Sequence, residues 1–381
     1  MHTWTPEQLE FRKSVLEFAR NELDTPSPDA RGFSRELWKK CAAFGIQGLP
    51  VPDEFGGSGA DAMTTMLAME ALGHGCRDNG LLFSLHAHMW AVLTPILRFG
   101  TPEQKAAWVP GLVDGTLVGA HGMTEPDSGS DSFSLRAKAT KRGDEYVLSG
   151  SKTFVTNAPV ADVFIVFATT DRAKGMWGVT GFILPKDTPG LTVSKPIHKM
   201  GLKTSPMGEV VMTECVVPAT ARLGREGQGS AIFNHSMGWE RSCILASAVG
   251  GMERQLDTCL AYAKSRKQFG KAIGSFQLVA TKLVDMKIRL DTSRLLLYKT
   301  AWSHAQGTIT PLEAAMAKLY ISENAVASGL DAIQVHGGWG YTEEYGLERD
   351  LRDAIGGRLY SGTSEIQRLI IARGLGLTTE N

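Results

Sequence analysis

The spacing of apolar residues changes period twice along this chain, and that double change limits the fold more than any other feature. Helical spacing gives way to short alternating runs near residue 118, then returns as long helical stripes near residue 229. A 3.6-residue period cannot bury its apolar face in a sheet, nor a two-residue period in a helix. Three domains of an α+β, mainly α, chain are therefore expected: helical over 1–118, an antiparallel sheet or barrel over 119–228, and an antiparallel helical bundle over 229–381.

Local punctuation supports the division. Thr5-Pro6-Glu7-Gln8, Thr101-Pro102-Glu103-Gln104 and Thr310-Pro311-Leu312-Glu313 each place a capping Thr, a Pro at the first turn and a side chain able to reach back to the cap amide. In the middle block Leu135, Ala137 and Ala139 alternate with polar residues, and VFIVF at 163–167 has strand length. In the last block Leu245, Val249, Met252, Leu256, Leu260 and Ala263 fall on one helix face, as do Val279, Leu283, Met286 and Leu290. The helix that opens at Thr310 is expected to stop at Gly337-Gly338.

Composition excludes several classes of function. Forty Lys and Arg balance 40 Asp and Glu, so no net field draws the protein to nucleic acid or to an anionic membrane. The opening MHTWTPEQLEF has no basic stretch followed by an apolar run, and no window reaches the ~18 to 20 apolar residues of a bilayer span, so a cytoplasmic location is expected. The five cysteines are scattered and never spaced C-x-x-C; they read as small core residues, neither a disulfide framework nor a metal site. His86 and His88, two apart, point to different sides of a helix and read as packing or surface residues. With no G-x-S-x-G elbow, hydrolase chemistry has little support, and a cofactor enzyme is favoured.

Two neighbouring segments could hold such a cofactor. MTEPDSGSD at 123–131 leaves backbone amides open: Gly129 and Ser130 let the chain approach a pyrophosphate, and Thr124 can bond a flavin edge, although an ordinary turn has the same composition. SGSKTFVTNAP at 149–159 puts Phe154 and Thr156 on one strand face, where they can cover and bond an isoalloxazine or simply pack.

SRKQFG at 265–270, QVHGGWGY at 334–341 and YSGTSEIQRLIIAR at 360–373 complete a set of five ordered segments. Together the five resemble the acyl-CoA dehydrogenase family over nearly the whole chain. The resemblance implies a C-terminal four-helix bundle, a homotetramer, and FAD near a subunit interface. It implies that Thr124, Gly129, Ser130, Phe154, Thr156, Thr363 and Glu365 hold FAD within one subunit. Arg266, Phe269, Gln277, Gln334, Gly337 and Gly338 are implied to reach the adenosine and pyrophosphate of a neighbour's FAD, a guanidinium being well suited to fork onto phosphate.

The chemistry implied is α,β-dehydrogenation of an acyl thioester, in which a carboxylate removes the α-proton and the β-hydride goes to flavin N5. In the family's commonest branch that carboxylate follows Tyr in a Y-E-G-T-S motif, and here the position is Ser361. In the isovaleryl and long-chain branches it lies at the start of the first long bundle helix, directly before an arginine, with a small residue in the Y-x-G-T-S loop. Trp239-Glu240-Arg241 matches that pattern, so Glu240 is the implied base, with Ser361 and Gly362 beside the substrate and Arg241 on the pantetheine or packed structurally.

Trp239-Glu240 with Cys243, RDNGLLFSLHAHMW at 77–90 and the S-G-T loop look similar to dehydrogenases acting on acyl or prolyl groups of carrier proteins in secondary metabolism. Gly238, where some members carry an acid near CoA, points the same way. The implied partners are a thioester on a carrier protein or CoA, and an electron acceptor such as an electron-transfer flavoprotein or oxygen. Two other functions fit the scaffold: a flavin oxidase or N-oxygenating enzyme, and a catalytically silent FAD-binding protein, for which Ser361 is the best argument.

Overall fold

Residues 4–25 and 28–378 are described by a computed structural model, so the first three residues of the MHTWTPEQLEF opening lie outside the described part. The N-terminal block folds as α1 (Pro6–Phe18), α2 (Arg35–Ala43), α3 (Ala62–Gly75), α4 (Asn79–His88), α5 (Thr94–Phe99) and α6 (Pro102–Val113). Thr5, Thr101 and Thr310 all form the reciprocal capping boxes that their sequences call for, each with its hydroxyl accepting from the backbone amide three residues on.

One expectation fails here. A π turn at Met89–Leu93 joins α4 to α5, and the continuous helix Asn79–Phe99 is long and apolar enough to cross a membrane, with a mean hydropathy of 1.4 over an 18-residue window. Its composition has another cause, because 83% of it is buried inside the protein. Both histidines of this helix are structural. His86 accepts from Trp90 Nε1 at 3.0 Å and pairs with Ser247 Oγ at 3.0 Å, while His88 joins the Leu112 carbonyl at 2.9 Å to the Gly119 amide at 3.0 Å.

The middle block forms β1 (Gly119–Gly122), β2 (Lys138–Arg142), β3 (Glu145–Thr156), β4 (Val163–Thr169), β5 (Val179–Pro185), β6 (Leu191–Val193), β7 (Met207–Pro218) and β8 (Arg222–Leu223). They make one sheet in the order β6-β7-β3-β2-β4-β5-β8, with β1 also on β4. Pairing is antiparallel except at β4, which runs parallel to β1 and, at one residue pair, to β2. Leu135, Ala137 and Ala139 are buried, as their alternation requires.

The last block is α7 (Gly229–Cys243), α8 (Ala246–Ser265), a two-stranded ribbon of β9 (Lys267–Gln268) and β10 (Lys271–Ala272), α9 (Gln277–Ala305), α10 (Pro311–His336), α11 (Leu347–Gly356) and α12 (Ser364–Gly374). α10 ends where Gly337 takes a φ of 60°. Leu245, which caps α8, and Val249, Met252, Leu256 and Ala263 along one face of it are buried, as are Leu283, Met286 and Leu290 along one face of α9. Bare backbone lets α3 and α8 touch: a Cβ at Gly250 would lie 1.9 Å from the Glu70 carbonyl oxygen. All five cysteines are buried and free.

Candidate active site

Glu240 lies in the last turn of α7, where its carbonyl accepts from Ile244 N at 2.9 Å as the helix ends. This corrects the placement of Glu240 at a helix start, because the bundle's apolar stripe is broken at Ile244–Leu245 into two helices. An anion at a helix C-terminus gains nothing from the dipole, so charge complementarity at a helix start does not explain this carboxylate. The turn is fixed by its neighbour: the Trp239 ring is sandwiched between His304, with centroids 4.0 Å apart, and Trp90, at 5.4 Å.

Ser361 does more than leave room beside Glu240, because its hydroxyl donates directly to Glu240 Oε2. Ser361 and Gly362 both take positive φ, 54° and 90°, in the tight turn that leads into α12. That turn is held by its carbonyls: Ser361 O accepts from Arg241 Nε at 3.3 Å and from Gln367 Nε2 at 3.1 Å, and Gly362 O accepts from Gln367 Nε2 at 2.8 Å and Lys318 Nζ at 2.7 Å. Thr363 caps α12, its hydroxyl accepting from Ile366 N at 3.4 Å, and Glu365 sits exposed in the first turn. Lys318 and Gln367 are missed by sequence reasoning, and only their places on the inward faces of α10 and α12 hint at them.

Burial raises the Glu240 carboxyl to about 7, although the Ser361 hydroxyl and the Arg241 and Lys318 charges all favour its ionised form. A folded-state value above the ordinary one means that the native protein binds this proton more tightly than the unfolded chain does. The stabilisation is then complete below the ordinary value of 4.5 and is lost as pH rises through about 7. Glu240→Gln, which cannot ionise, should melt close to wild type near pH 5 and several degrees above it at pH 8, by an advantage of up to about 3 kcal/mol. Calorimetric scans at the two pH values measure the difference, and equal melting at pH 8 would contradict the raised value.

A second cluster brings the two glycine- and hydroxyl-rich segments together. Thr124 O accepts from Thr153 N at 2.9 Å, and behind it Lys152 Nζ, wholly buried, donates to Glu125 Oε1 at 2.7 Å and to the Met123 carbonyl at 3.2 Å. Glu125 also accepts from the Arg136 and Ala137 amides at 2.6 and 3.1 Å, so the acid of this loop anchors it rather than facing a ligand. Gly129 and Ser130 are exposed, with open space where a Gly129 Cβ would stand. The reading of Phe154 and Thr156 as simple i, i+2 partners needs correction: the register with β7 shifts between Lys152 and Val155, and Phe154 takes a φ of 55°. Phe154 remains 61% exposed beside half-buried Thr156.

The third cluster is a cavity of about 630 Å³ at the end of α10, whose lining includes Arg266, Gln334, Gly337 and Gly338. Phe269, at the tip of the β9–β10 ribbon, is 93% exposed, and Gln277 opens α9 on the surface. Among the described residues the three clusters make no hydrogen bond to one another.

Comparison with known proteins gives this arrangement its meaning. Residues 5–116, 120–215 and 227–376 match the N-terminal, middle and C-terminal domains of acyl-CoA dehydrogenase. The chain belongs to the acyl-CoA dehydrogenase family. It is thus an FAD-dependent oxidoreductase acting on acyl thioesters. The chain is 48% identical over 373 residues, 97% of each chain, to an L-prolyl-[peptidyl-carrier protein] dehydrogenase of Serratia sp., and 45% identical to one of Pseudomonas fluorescens, covering 91% of this chain and 92% of that one. Among solved structures, the prolyl acyl carrier protein oxidase AnaB superposes with a TM-score of 0.97 at 51% identity, covering 98% of this chain and 100% of that one. The FAD complex of PigA gives 0.96 at 47% identity over 99% of each chain.

The residues present fit a flavin dinucleotide in this member of the acyl-CoA dehydrogenase family. An exposed aromatic in a left-handed backbone, an open glycine-serine loop and an arginine on a wide cavity are the donors and surfaces such a group needs.

Proposed function

We propose that this enzyme oxidises a prolyl group, or a similarly short acyl group, held as a thioester on a carrier protein, with Glu240 as the base. The observation that carries the reading is the buried Glu240 carboxylate with a serine hydroxyl on it, in the place of a glutamate in the Y-x-G-T-S turn. The carrier-borne substrate is supported by the relatives of 45–51% identity, whose names specify prolyl carrier proteins.

Thr124, Gly129, Ser130, Phe154, Thr156, Thr363 and Glu365 hold FAD in one subunit. Arg266, Phe269, Gln277, Gln334, Gly337 and Gly338 receive the adenosine and pyrophosphate of a neighbour's FAD in a homotetramer. Val284, Ile288, Leu295 and Trp302 leave an apolar face exposed along α9, which supports assembly. Domain boundaries at 118/119 and 228/229, a cytoplasmic location and a role in secondary metabolism complete the proposal.

Bound FAD supplies the acceptor for the β-hydride. Glu240 takes the α-proton on a carboxylate oxygen, and a value near neutrality suits that step, leaving the group ionised enough to act and basic enough to pull. Ser361 directs the carboxylate through its hydroxyl, while Gly362 and Arg241 line the approach of the thioester.

Anaerobic titration of the holoenzyme with prolyl-carrier protein, acyl-carrier protein and acyl-CoA thioesters tests the reading. Bleaching of the flavin and a product lighter by two hydrogens are expected with the prolyl carrier. Bleaching by acyl-CoA alone would overturn the carrier assignment, and no bleaching by any thioester would overturn the dehydrogenase reading in favour of a silent binding protein. Reoxidation in air against reoxidation by an electron-transfer flavoprotein identifies the acceptor, and a hydroxylated product would mark an oxygenating enzyme.

A further inference from the structure

Lys318 is a lysine with no exposed surface, on the third turn of α10, and no step of the proposed reaction uses it. Burying an ammonium is costly unless something needs it there. Its ammonium donates at 2.7 Å to the Gly362 carbonyl, in the turn that carries Ser361. That turn runs through two consecutive positive-φ residues, one of them a serine, a conformation that persists only where surrounding contacts impose it. Four donor contacts converge on its two carbonyls from three helices: Arg241 from α7, Lys318 from α10, and Gln367 twice from α12. The Ser361 side chain leaves the same turn towards Glu240.

We propose that Lys318 is a positioning residue, which locks the Ser361–Gly362 turn through the Gly362 carbonyl and so holds the Ser361 hydroxyl, and the positive field of its own ammonium, on the Glu240 carboxylate. The proposal rests on Glu240 being the base. The charged neighbours come from every packed element: Glu240 and Arg241 on α7, Glu323 on α10 and Glu365 on α12, with the Tyr360 ring centroid 5.9 Å from Nζ. Burial, reinforced by the Arg241 charge, lowers the ammonium to about 7, and each carboxylate favours its charged form. The Arg241 cation thus opposes the Lys318 charge, and the three carboxylates offset it.

The test compares Lys318→Met, which removes donor and charge, Lys318→Gln, which keeps a donor without charge, and Lys318→Arg, which restores both. Protonation of Glu240 is followed in the FAD-loaded enzyme by the infrared carbonyl band of its carboxylic acid, identified by its absence in Glu240→Gln. Without the ammonium the midpoint should rise by about one pH unit in Lys318→Met, and return most of the way in Lys318→Arg. Flavin reduction should then be about fivefold slower at pH 7, with the gap closing by pH 9 and KM nearly unchanged.

An unmoved midpoint in a folded, FAD-saturated Lys318→Met enzyme would overturn the proposal, leaving a lysine that merely packs. If Lys318→Met does not fold, Lys318→Gln carries the same expectation and the same refutation. Because the infrared midpoint needs no substrate, a shifted midpoint in an enzyme that no thioester reduces would retain the positioning role and refute the assigned reaction.

Discussion

Glu240→Gln should keep the fold and the FAD, yet slow reduction of the flavin by thioester about a thousandfold or more. Glutamine preserves the shape of the side chain and can still accept from Ser361, but it has no oxygen basic enough to take the α-proton. Ser361→Ala should cost only about tenfold or less, because it removes a donor and leaves the base. Its direction is also fixed: losing a hydroxyl that favours the ionised carboxylate raises the Glu240 value above about 7, so the acid limb of the rate profile moves to higher pH. Stopped-flow reduction at saturating substrate separates the two variants from weakened binding. Near wild-type reduction by Glu240→Gln would remove Glu240 from the chemistry.

The second large effect concerns the cofactor. The purified protein should be yellow with one FAD per subunit, and Arg266→Ala should weaken FAD binding about 10- to 100-fold, the value of a charge-assisted hydrogen bond to phosphate. Arg266 stands on the cavity with Gln334, Gly337 and Gly338, well removed in the chain from Glu240, so the variant reloaded with excess FAD should reduce at the wild-type rate. Fluorescence titration of the apoprotein with FAD measures the affinity. An unchanged affinity would place the phosphates elsewhere, and a monomer that retains tight FAD would contradict the shared site.

What the sequence disclosed was set by local interactions. The capping boxes at Thr5, Thr101 and Thr310 and the stripe Leu245–Ala263 need only neighbours within a few residues, and they are found as expected. Three features escaped because long-range packing decides them. The break between α7 and α8 falls at Ile244–Leu245, two apolar residues that continue the helical pattern and carry no glycine or proline signal. Phe154 adopts a left-handed backbone at a bulge, which its identity does not suggest. Lys152 and Lys318 are wholly buried, a place where lysine is rarely found and which its identity alone does not suggest. A sign of Lys152 was present: it follows Tyr146, Leu148 and Gly150 at every second place along β3.

The buried Lys152–Glu125 pair has a consequence for how the chain reaches this state. Each charge is neutralised only when β3 and the loop after β1 meet in native register; a slip of one residue would turn the lysine to the other face and strand the acid among apolar groups. Near-native misalignments are therefore penalised by several kcal/mol while the sheet assembles, even though the pair adds little to final stability. The loop between β1 and β2 is thus tied to the sheet by a contact that only the native register completes.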